Sequence, residues 1–100
     1  MEIQIETPNV ENQDKLEEYI EKKVNKLEKF FDNIIDAHVY LKNEQDKGNL
    51  KQRNVELKLN IPATTLFAEE KSDSFEKSVD MAVKSIERQL KKHKEKSRDH

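Results

Sequence analysis

The chain has no cysteine, a single glycine and no long apolar run. Without cysteine it has no disulfide, no thiolate metal site and no thiol nucleophile. With Gly48 as its only glycine, it cannot build a P-loop, a GxGxxG turn, a GxSxG elbow or the GxxG clamp of some RNA-binding modules. No apolar stretch approaches the roughly 20 residues of a membrane span. The opening segment Met1-Glu2-Ile3-Gln4-Ile5-Glu6 is too polar for a signal peptide. The three histidines, His38, His93 and His100, lack the short ligand spacing of a zinc site. Glu17-Glu18 and Glu69-Glu70 are adjacent carboxylates that point to different faces and form no catalytic dyad. These absences predict a soluble cytoplasmic protein that is not an enzyme, with no cofactor, no metal, no membrane and no small-molecule substrate.

What is present is charge and periodicity. The 100 residues are 40% charged and 33% hydrophobic, which predicts one domain with a small core of one sheet face and one helix layer. Ile3 and Ile5 alternate with polar neighbours and read as a strand that ends at Pro8 and Asn9. Asn12 is placed to cap a helix over 12–31. Its apolar positions, Leu16, Tyr19, Ile20, Val24, Leu27, Phe30 and Phe31, share one face at 100° per residue. Ala37, Val39 and Leu41 mark a second strand, and Asp46-Lys47-Gly48-Asn49 a turn. Val55, Leu57, Leu59 and Ile61 mark a third strand, followed by a short one over 64–70. Asp73 and Glu76 have the spacing of a capping box. The helix they open buries Phe75, Val79, Ala82, Val83, Ile86 and Leu90 and runs to about Lys94. The fold class is α+β, in the order β-α-β-β-β-α, with the helices on one face of a four-stranded sheet. Residues 1–95 form the domain, and 96–100 are expected to be a polar, mobile tail.

Charge is unevenly distributed. Residues 84–98 hold seven Lys or Arg against two Glu, a local +5, whereas residues 1–83 carry twelve basic against eighteen acidic side chains, or −6. A basic block on an acidic body suits a polyanion, although a solubilising helix end has the same composition. The helical wheel favours the first reading. Lys15, Lys22, Lys26 and Lys29 fall within about 60° of arc on the first helix, with Lys23 at its apolar margin. Lys84, Arg88 and Lys91 form a matching stripe with Lys77 on the second helix, and Lys92 lies beside it. A phosphate backbone carries regularly spaced charge, and neutralising each phosphate releases counterions. Arg88 adds a fork that can hold a phosphate by two hydrogen bonds. Nothing in the sequence encodes base readout.

Several segments resemble the ribosome hibernation-promoting factors, also called ribosome-associated translation inhibitors or sigma-54 modulation proteins. These are Asn9-Val10-Glu11, Leu27-Glu28-Lys29-Phe30-Phe31-Asp32, His38-Val39-Tyr40-Leu41, Ala68-Glu69-Glu70 and Val79-Asp80 followed by Arg88-Gln89-Leu90-Lys91-Lys92-His93-Lys94. The resemblance implies two near-parallel helices on one sheet face. It also implies binding to ribosomal RNA of the small subunit near the decoding region, where occupancy blocks messenger and transfer RNA during stress or stationary phase. Its basic pattern matches Lys23, Lys26, Arg88, Lys92 and Lys94. The chain departs from that pattern at Thr7-Pro8, where a glycine is usual, and at Asp73-Ser74-Phe75-Glu76-Lys77-Ser78-Val79-Asp80, one residue longer than the usual signature. At 100 residues it is expected to correspond to the short form, lacking the dimer-forming domain of longer members, and to be a monomer off the ribosome. The alternative is a protein-binding regulator of transcription acting through the outer sheet face or the acidic sector of the first helix.

Overall fold

A computed structural model describes residues 1–8, 10–45 and 51–98, excluding the side chains at 45, 51 and 96–98. The expected strand-ending Asn9 and the turn at Asp46-Lys47-Gly48-Asn49 lie outside the described residues. The elements are β1 (Glu2–Glu6), α1 (Gln13–Asn25), a 3-10 helix (Lys26–Lys29), β2 (Asp36–Gln45), β3 (Lys51–Ile61), β4 (Thr64–Ser72) and α2 (Phe75–Arg98). The β-α-β-β-β-α order predicted from periodicity is the order observed.

The sheet order is β1-β2-β3-β4. Strand β1 runs parallel to β2, and β2, β3 and β4 form an antiparallel meander. Register sets the core. Ile5 pairs with Val39, Val39 with Leu57, and Leu57 with Ala68. Alternation sends these side chains to one face, which the helices cover. Leu16, Ile20, Val24 and Leu27 from the first helical stretch join Phe75, Val79, Ala82, Val83, Ile86 and Leu90 from α2 in the same buried cluster. The opposite sheet face carries no element among the described residues.

Three local features differ from the sequence reading. Continuous α-helix stops at Asn25, and the chain tightens into 3-10 geometry over Lys26–Lys29. Asn12 does precede α1, but in the left-handed conformation (φ 57°) and without a side-chain cap. Asparagine tolerates that conformation, and its carbonyl accepts the N–H of Leu16 at 3.1 Å. For α2 the cap is Ser74, not Asp73. Its Oγ accepts the N–H of Lys77 at 3.2 Å, the N-cap to N3 geometry. Asp73 instead pairs with the Lys77 ammonium at 3.4 Å. Helix α2 also continues to Arg98, past Lys94. Just inside its start, the fully buried Ser78 hydroxyl donates to the Arg53 carbonyl at 2.7 Å, so the polar group is satisfied where α2 meets β3.

Candidate nucleic-acid interface

The helix lysines divide into a seam and two flanking banks. At the seam, Tyr19 of α1 donates its hydroxyl to Asp80 of α2 at 2.7 Å. The Lys23 ammonium lies 3.5 Å from Asp80 and 5.4 Å from the centre of the Tyr19 ring. One turn and more along, Lys91 lies 5.2 Å over the Phe30 ring, and Phe31 meets His93 edge-on at 5.8 Å. These contacts join α1 and the 3-10 turn to α2 at two levels. Asp80 links helices far apart in sequence, and the Phe30-Phe31 pair provides aromatic surface beneath a cation.

Lys22, Lys26 and Lys29 form one bank, and Lys84, Arg88 and Lys92 the other, while Lys94 stands about 160° round α2 from Lys92; all seven are exposed. In a 3-10 turn residues three apart eclipse, so Lys29 stands over Lys26. The wheel drawn at 100° per residue does not apply beyond Asn25. Among the described residues none of these seven cations joins an ion pair. Several cations elsewhere are neutralised, Lys42 by Glu56 at 3.7 Å, Lys71 by Glu44 at 2.9 Å, Lys77 by Asp73 and the N-terminus by Glu28 at 3.1 Å, whereas Lys15, Arg53 and Lys58 join no ion pair among the described residues. Lys15, about two turns before Lys22 on the same side of α1, lines a groove shared with Arg53, Phe75 and Glu76. Arg53 is held there, 5.6 Å over the Phe75 ring and bonded to Asn43 at 2.6 Å. The candidate interface is therefore a set of cations that join no ion pair among the described residues, on two cross-linked helices.

Lys23 differs from the rest because it already has an anionic partner. Its side chain and that of Asp80 are 30% and 40% exposed, so solvent screening limits the pair to about 1 kcal/mol or less. The larger electrostatic effect is on Tyr19, whose pKa is pushed up to about 12. The hydrogen bond to the Asp80 carboxylate is the main cause, followed by desolvation and the charges of Asp80 and Glu76. With the folded value above the ordinary 10, this stabilisation is complete below about pH 10 and is lost as pH rises through about 12. Asp80→Asn should bring Tyr19 back toward about 10 in a spectrophotometric titration. A tyrosine still titrating near 12 in that variant would contradict the assignment.

Among the described residues no cluster of three or more His, Cys, Asp or Glu side chains is arranged to hold a metal, and no helix is long and apolar enough to cross a membrane.

Comparison with known proteins gives a consistent result. The family described as sigma 54 modulation protein / S30EA ribosomal protein matches residues 3–98. A ribosome hibernation promotion factor from Deinococcus radiodurans is 35% identical over 91% of this chain, and a ribosome hibernation promoting factor from Pseudomonas putida 32% identical over 96%. The chain spans about half of the D. radiodurans protein (48%) but 89% of the P. putida one. Among solved structures, a ribosomal subunit interface protein from Coxiella burnetii superposes with a TM-score of 0.80 at 29% identity, covering 94% of this chain and 98% of its own. The N-terminal domain of Thermus thermophilus Protein Y gives 0.79 at 26% identity, covering 93% and 99%. On sequence and architecture together, the chain belongs to the sigma-54 modulation protein / S30EA ribosomal protein family.

Proposed function

We propose that the chain is a ribosome hibernation factor that docks on ribosomal RNA of the small subunit through the exposed faces of α1, the 3-10 turn and α2. Bound near the decoding region, it blocks translation by occupying the path of messenger and transfer RNA, in the cytoplasm and under stress or stationary phase. It catalyses nothing and needs no cofactor. It acts as a monomer off the ribosome. The observation that carries this reading is the set of seven exposed cations, without ion pairs among the described residues, on two cross-linked helices. Relatives named as hibernation factors and a ribosomal subunit interface protein agree with it.

The physical logic is that of a phosphate-tracking surface. Lysines one or two turns apart follow a backbone, and the acidic remainder of the chain repels loosely bound nucleic acid. Affinity should therefore fall steeply with salt. If about six phosphates are engaged, binding should weaken by roughly a thousandfold between about 50 and 200 mM monovalent salt. Co-sedimentation with purified small subunits through sucrose gradients tests this. Affinity that stays flat across that range would exclude an electrostatic RNA interface.

A further inference from the structure

The sheet face opposite the helices has its own chemistry. Register lines up Glu6, Tyr40, Glu56 and Glu69 across all four strands. The neighbouring row is Gln4, His38, Lys58 and Phe67. The His38 and Tyr40 rings stack at 6.4 Å and 19°, and Phe67 is 50% exposed. With Glu2, Asp36 and Glu44, the face carries six carboxylates against Lys42, Lys58 and Lys71. Lys42 and Lys71 are already committed to Glu56 and Glu44.

Two features of this face are unfavourable within the isolated chain. Glu56 and Glu69 are direct cross-strand partners, and like charges in that position destabilise a sheet. Asn54, only 2% exposed, donates through Nδ2 to Glu44 at 3.0 Å and to Glu69 at 2.9 Å. Its Oδ1 is left without a partner among the described residues. Buried acceptors are ordinarily satisfied. The surplus carboxylates call for a donor-rich cation, while the Asn54 oxygen itself is shielded from solvent.

We propose that this face docks an extended, arginine-rich segment of another protein. Arginine fits better than lysine because its planar fork grips carboxylates and stacks on aromatic rings. Tyr40, flanked by Glu6 and Glu56, offers both surfaces at one point. The dimensions agree. Three strand spacings span roughly 14 Å from Glu6 to Glu69, and every second residue of an extended peptide advances about 6.8 Å, so three alternate arginines cover the row. Nucleic acid is excluded here by the sign of the charge. The inference concerns the face away from α1 and α2 and does not rest on the ribosomal reading.

The test is a titration of the 15N-labelled full chain with an alternating Arg-Thr decapeptide, followed by amide chemical shifts. The expected result is saturable shifts centred on Tyr40, Glu56, Phe67 and Glu69. Glu56→Gln with Glu69→Gln should weaken binding at least about tenfold, since two charge-assisted hydrogen bonds are lost. That pair also removes a like-charge contact, so the fold should be retained. Glu18→Gln with Glu21→Gln removes the same charge from the exposed side of α1 and should change affinity less than about twofold. Equal weakening in both pairs, shifts confined to α1, or no binding would each overturn the proposal.

Discussion

Reversing charge at Arg88 and Lys92 together is expected to abolish co-sedimentation with the small subunit. Both side chains are exposed one turn apart on α2, and neither joins an ion pair among the described residues. Each charge-assisted contact to phosphate contributes about 1.5–3 kcal/mol. Losing two therefore weakens binding by about a hundredfold or more, before the repulsion introduced by two glutamates. The fold should be unaffected, because exposed substitutions away from caps and buried networks stay within about 0.5 kcal/mol. Wild-type co-sedimentation of Arg88→Glu with Lys92→Glu, with an unchanged circular dichroism spectrum, would remove α2 from the interface.

The second large effect is on stability. Leu90 is fully buried and is the last core residue of α2, so it holds the basic end of the helix against the sheet. Leu90→Ala should cost about 2–5 kcal/mol, combining lost burial with the cavity left behind. For a domain of this size each kcal/mol lowers the Tm by about 4–8 °C, so a drop of roughly 10 °C or more is expected. Leu90→Met, which keeps the volume, should cost less than about 1.5 kcal/mol. Thermal unfolding followed by circular dichroism separates the two. A Leu90→Ala variant melting within about 3 °C of wild type would show that the end of α2 is not anchored by this side chain.

Element order was legible because the two periodicities here are clean. Val55, Leu57, Leu59 and Ile61 repeat every second residue, and Val79, Val83, Ile86 and Leu90 repeat at three and four. The end of α1 was not legible. Leu27, Phe30 and Phe31 fit a continuing α-helix equally well, and no proline or glycine marks the change to 3-10 geometry. What differs is tertiary: Phe30 lies beneath Lys91 and Phe31 meets His93. The cap of α2 was misassigned because Asp73 and Ser74 are adjacent candidates, and only geometry shows whose oxygen reaches the Lys77 N–H.

The exposure of the basic helix residues was likewise readable from spacing, although Lys91, grouped by spacing with Lys84 and Arg88, lies over the Phe30 ring. Their pairing was not. Tyr19 and Asp80 are 61 positions apart, so nothing local shows that Lys23 already has an anionic partner while Lys22 and Lys26 do not. The opposition of Glu56 and Glu69 was hidden for a similar reason. It depends on the register of β3 with β4, which alternation leaves free to shift by two residues.

The most direct measurement is site-specific photo-crosslinking to purified ribosomes, with the reactive side chain placed at position 84 on α2 or at position 58 on the opposite sheet face. Lys84 and Lys58 are both exposed, so neither replacement disturbs the core. If the helix cations form the RNA interface, position 84 crosslinks to small-subunit ribosomal RNA in a salt-sensitive manner, and position 58 gives no RNA crosslink. RNA crosslinks from position 58 with none from position 84 would contradict it.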